Sequence, residues 1–217
     1  MIFPGLALAH GVTGGDAAFL QRSEGLEIGP FLYLGAKHMV TGYDHLAFLF
    51  GVIFFLYKIR DVAVYVTCFA VGHSVTLLAG VLGGWNVNPH IVDAIIGLSV
   101  VYKAFDNLEG FKTMFGVQPN AKAAVLLFGL FHGLGLATKL QDFRLSSEGL
   151  VANIISFNIG VEAGQLVALS IILVVMMQWR KTAAFVRHAV LANIVLMVIG
   201  FLLIGYQLAG YATERTL

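Results

Sequence analysis

The chain has 217 residues, 59% of them hydrophobic and 12% charged, with a formal net charge of +1 and a single cysteine. So high an apolar share with so few charges excludes an ordinary soluble domain, and near-neutrality excludes the basic field that nucleic-acid binding requires. The lone Cys68 excludes an intramolecular disulfide and any cysteine-built metal knuckle, so metal chemistry must rest on His, Asp, Glu and Asn.

Residues 1–30 are mixed in character and form an outer N-terminal segment. Within it Ile2 to Ala9 is apolar but about half the length of a spanning helix, and no basic residue precedes it; a trimmed signal-peptide remnant is the weakly supported reading. Gly25, Gly29 and Pro30 then punctuate the start of the first long apolar run. With ~20 apolar residues needed to cross a ~30 Å hydrocarbon core, residues 31–217 form one domain of six spans, at 31–57, 62–83, 90–111, 121–139, 149–178 and 184–211. The expected fold is an all-α integral membrane bundle of six transmembrane helices. Lys58 and Arg60, Lys112 and Lys122, and Arg180, Lys181 and Arg187 follow spans one, three and five, whereas Gly84 to Pro89 carries no Lys or Arg. Positive-inside orientation then puts both termini outside, N-out and C-out. Lys139 and Arg144 weaken that asymmetry without reversing it. No internal repeat or low-complexity tract is evident.

The stretch Lys37 to His45 places two imidazoles and a carboxylate inside the first span. His38 and His45 are two turns apart, so a continuous helix sets them on nearly one face and presents Asp44 to a neighbouring helix. At ~1.5 Å per residue, His38 lies roughly 10 Å and Asp44 and His45 roughly 20 Å below the outer surface. His73 and His132 reach a level near the midplane, and Asn158, Glu162 and Gln165 form a polar stripe on span five at similar depth. Ionisable groups at such depth persist only when they face a bundle interior, where they mark an ion path, a proton relay or a site. Imidazole and carboxylate without thiolate suit nickel, cobalt, zinc or iron. The candidate ligands are therefore His38, Asp44, His45, His73, His132 and Glu162, supported by Asn158 and Gln165.

The remaining polar residues read as structural. The GxxxG pairs Gly129/Gly133 and Gly160/Gly164 read chiefly as packing devices, and Thr76 and Ser99 as hydroxyls that link helices. Lys103 and Asp106, at i and i+3, are expected to neutralise each other. Asp93, His10, His90 and His188 are expected to be solvated. Ser74 directly follows His73 and cannot share its helix face, which argues against a Ser–His nucleophile. Span six, uncharged between Ala189 and Ala212, is assigned to packing against lipid and neighbours.

Four pieces of the chain carry a resemblance: Gly35-Ala-Lys-His-Met-Val-Thr-Gly-Tyr-Asp-His-Leu-Ala-Phe-Leu-Phe50, Val71-Gly-His-Ser-Val-Thr-Leu77, Phe128-Gly-Leu-Phe-His-Gly-Leu-Gly-Leu-Ala137 and Phe157-Asn-Ile-Gly-Val-Glu-Ala-Gly-Gln165. Together they resemble the HupE/UreJ family of hydrogenase and urease accessory membrane proteins, and more closely its second subgroup. The resemblance implies a polytopic protein of the bacterial inner membrane that moves nickel or cobalt, with His38, Asp44, His45 and His132 on the family's metal-associated motifs. Its partners would be the lipid bilayer, the metal ion and metalloenzyme maturation proteins, with no nucleic acid. Where the better-studied subgroup has a second His after the span-four His-Gly, this chain has Leu136, a departure that touches the permease role rather than the metal site. The leading reading is a divalent-metal permease or metal-accessory protein, with an outer entrance near His38 and exit toward the basic loops. The alternative is an intramembrane metalloenzyme with fixed zinc or iron, in which Glu162 or Asp44 handles protons for a lipid-soluble substrate. A blander option is an assembly factor whose polar layer only joins helices.

Overall fold

A backbone in lipid must satisfy its own hydrogen bonds, and long apolar runs do so as helices. The computed structural model describes residues 25–141 and 148–215. His10, Arg144 and the signal-peptide reading of Ile2 to Ala9 lie outside them. The described elements are α1 (Ile28–Thr41), α2 (Tyr43–Ile53), α3 (Ile59–Gly83), α4 (Pro89–Asn107), α5 (Gly110–Phe115), α6 (Ala121–Gln141), α7 (Leu150–Arg180) and α8 (Ala183–Glu214), with no strand among the described residues. Four of these helices, α3, α6, α7 and α8, are each long and apolar enough to cross a membrane. The protein is an all-helical integral membrane protein.

The first apolar run is not the single helix expected over 31–57. It breaks at Gly42, whose backbone turns to φ −74° and ψ 97° between α1 and α2. The Gly42 N–H still donates to the His38 carbonyl (2.9 Å) and the Leu46 N–H to the Gly42 carbonyl (3.0 Å), so the break leaves those groups bonded. α2 then ends at Ile53, where the guanidinium of Arg180, from the end of α7, donates to the carbonyls of Ile53, Phe54 and Leu56. The last carbonyls of a helix lack the i+4 partners of its interior, and a cation is favoured beside them. The third run also stops short of residue 111. α4 ends at Asn107, Glu109 takes a positive φ of 56°, and the chain turns into the short α5.

Helices pair chiefly as α3 with α6, α1 with α7 and α4 with α8. Glycines explain the intimacy. A Cβ on Gly129 or Gly133 would strike the backbone of Phe69 or His73 across the α3/α6 contact, and one on Gly35 or Gly160 would strike the Phe157 or Leu32 carbonyl across α1/α7. Lipid offers no hydrophobic drive between helices, so such backbone approach supplies the dispersion contact that holds them. The Thr76 hydroxyl adds a 2.6 Å bond to the Leu130 carbonyl across α3/α6. Ser99 departs from its expected linking role, donating to Ile96 within its own helix.

Candidate functional site

His38 of α1, His73 of α3 and His132 of α6 meet around the ring of His45 on α2. His45 is at the centre, fully buried in the first turn of α2. Its ring centroid lies 5.3 Å from that of His38, 5.8 Å from His73 and 4.8 Å from His132. His73 and His132 are buried, and His38 is half-buried at the edge of the group. A continuous helix would have left His38 and His45 roughly 10 Å apart along the axis; the break at Gly42 closes that gap. A Cβ on Gly42 would stand 3.0 Å from His45 Nδ1, so the glycine also makes room for the ring.

Hydrogen bonds orient two of the rings. His45 Nδ1 lies 3.0 Å from Asp44 Oδ1, which also accepts the His45 backbone N–H at 2.7 Å. Since Oδ1 already acts as an acceptor toward the backbone N–H, Nδ1 is assigned the hydrogen and Nε2 the lone pair. His132 Nδ1 lies 2.8 Å from the Phe128 carbonyl and donates to it, which sets the same tautomer. His132 Nε2 and both ring nitrogens of His73 are buried with no hydrogen-bond partner among the described residues. Asp44 thus stands behind His45, in the way a carboxylate orients a metal-binding imidazole, rather than beside the other rings.

Aromatic residues enclose the group. Phe69 lies 5.0 Å from His132 and 6.0 Å from His73, Phe48 is 5.3 Å from His132, and Phe157 is 6.2 Å from His38. Sequence reasoning missed this sleeve. Its signal was helical spacing: Phe48 follows His45 by three, and Phe69 and Phe128 precede His73 and His132 by four.

The span-five stripe goes elsewhere. Glu162 bonds Ser74 (3.2 Å) and Asn158 (3.3 Å) in a groove between α3 and α7, and Gln165 lines the same groove. Ser74 faces that groove while His73 faces α6, as adjacent residues on a helix must. Three expectations of solvation or loop placement are corrected at the far end of α4. Asp93 is 6% exposed and accepts from Lys139 (2.7 Å) and Gln207 (3.2 Å). His90 bonds Gln207 (2.7 Å) and Glu214 (3.1 Å). Lys139 is the α6 member of this assembly rather than a loop charge. Packing of α8 on α4 supplies Gln207 and Glu214 and puts these groups in reach of one another. The Lys103–Asp106 pair forms as expected, and His188 is exposed.

Chemically, the donors of the imidazole group suit a borderline metal, since nitrogens of His73 and His132 are buried and unanswered. Their arrangement stops short of a formed site: among the described residues no three His, Cys, Asp or Glu side chains are grouped so as to hold a metal ion. Compared with known proteins, the chain matches over residues 15–215 the family model described as HupE / UreJ protein. No curated protein and no solved structure matches it.

Proposed function

The chain belongs to the HupE/UreJ family, and from that premise we propose that it handles a divalent transition metal of the nickel or cobalt class at the buried imidazole group, as a permease or metal-accessory protein. The observation that carries this reading is the spacing of the rings. Two imidazoles sharing an ion at ~2.1 Å from each nitrogen hold their ring centres roughly 5 Å apart, and the centroids around His45 lie 4.8 to 5.8 Å away. In this reading the rings around His45 rearrange so that nitrogens drawn from His38, His45, His73 and His132 meet the ion. Asp44 holds His45 in the ligating tautomer, and half-buried His38 receives the cargo first. In this reading six crossings place both termini outside the bacterial inner membrane, and the released metal passes to metalloenzyme maturation proteins.

A second reading, an intramembrane enzyme with a resident zinc or iron, is favoured by one observation. An apolar groove of about 710 Å³ among α1, α2, α7 and α8 is lined by Val40, Leu46, Phe50 and Leu196. Leu46 and Phe50 belong to α2, the helix whose first turn carries His45, so a lipid-soluble molecule in the groove lies against that helix. Metal analysis of the purified protein, before and after chelation, separates the two. Nickel or cobalt that binds at one equivalent, exchanges with chelator and disappears in His45→Ala supports the cargo reading. Zinc or iron that survives chelation supports the enzyme. Wild-type protein that takes up no metal overturns both.

A further inference from the structure

Glu162 lies twelve residues past the start of α7, roughly 18 Å along a helix long enough to cross the membrane. It is exposed on the outside of the bundle, where hydrocarbon rather than water is the neighbour. A bare carboxylate there is costly and calls for neutralisation. No Lys, Arg or His lies within ion-pair distance of it among the described residues. Instead it sits in a cavity of about 450 Å³ between α3 and α7, lined also by Thr67, Ser74 and Gln165. Ser74 donates to Glu162 Oε1, and Asn158 donates to both the Ser74 hydroxyl (2.9 Å) and Glu162 Oε1. One acceptor of this assembly is buried and unanswered among the described residues: Asn158 Oδ1, on a side chain 8% exposed.

The donors here are a carboxylate, two hydroxyls and two amides, with no ring nitrogen and no sulfur. Oxygen donors favour hard cations over nickel or cobalt, and one carboxylate balances one positive charge. A second copy of the chain laid on this face would bring another carboxylate of the same sign. We propose that Glu162, with Thr67, Ser74, Asn158 and Gln165, forms a second cation site, separate from the imidazole group, that takes one small monovalent cation, Na⁺. It stands independently of the reading of the imidazoles, and neutralises a charge that α7 otherwise presents to lipid.

Dicyclohexylcarbodiimide, which modifies protonated carboxyls in apolar surroundings, tests this on the full chain in phosphatidylcholine nanodiscs with peptide mapping. The expected adduct is on Glu162, absent in Glu162→Gln, and grows as the pH falls. Slowing by sodium chloride but not choline chloride identifies Na⁺ as the occupant. Ser74→Ala raises the sodium concentration needed for protection about tenfold, a change that folding alone does not produce. Three outcomes overturn the site: no adduct at any pH with or without sodium, labelling that sodium does not slow, or protection by nickel at lower concentration than sodium, which would return Glu162 to the transition-metal donors.

Discussion

Two polar assemblies lie inside this membrane protein, and they are built on opposite terms. At one end of α4 the groups run Lys139, Asp93, Gln207, His90, Glu214 as a chain of hydrogen bonds and ion pairs joining α6, α4 and α8. There the buried carboxylate is met by a cation and an amide, as a structural network requires. The imidazole group is more deeply buried, with His45, His73 and His132 at 0–1% exposed against 53% for Glu214, yet both ring nitrogens of His73 and one of His132 lack a hydrogen-bond partner among the described residues. An unmade hydrogen bond in such surroundings costs on the order of 1–3 kcal/mol. Polar groups kept in that state are poor glue. The difference separates a network that holds helices from the imidazole donors at which metal binding is proposed.

The sharpest way to break the comparison is to remove one member of each. Lys139→Met strands the Asp93 carboxylate and should destabilise the protein by about 3 kcal/mol in detergent unfolding. Adding Asp93→Leu should recover most of that loss, and metal affinity should stay within a few-fold of wild type. His45→Ala should show the reverse, an affinity for nickel or cobalt lowered about 100-fold with secondary structure retained by circular dichroism. Equal loss of metal in the Lys139 variant would erase the distinction between the two assemblies. Asp44→Asn, which leaves His45 in place but frees its tautomer, should weaken binding about 30-fold by metal titration. Smallest is Gly42→Ala, whose methyl presses on His45 Nδ1 and should cost about fivefold in affinity. An unchanged Gly42 variant would show that the break serves only the backbone.

Parts of each assembly were legible at different levels. His45, His73 and His132 could be set near one depth, with His38 about two helical turns nearer the outer surface, because rise per residue in a helix is fixed and a membrane bounds where helices start and stop. Glu162, Asn158 and Gln165 share that depth but not that direction, because packing of α7 on α1 through Gly35, Gly160 and Gly164 sets the rotation of α7. The Asp93–Lys139 pair joins residues 46 positions apart on different helices, so neither side chain carries a local sign of the other. Gly42 offered no sign either, since glycine is common within membrane helices that do not break.

Composition, the lengths of the apolar runs and the heights of the polar residues were determined by the amino-acid sequence alone, because each follows from local chemistry and a constant helical rise. Which imidazoles face one another, which carboxylate meets a lysine and which is left toward lipid were decided only by tertiary structure. The reason is that helix rotation and the break at Gly42 depend on close contacts between small residues far apart in the chain, and a side chain's partner is set by the direction its helix turns as much as by its depth.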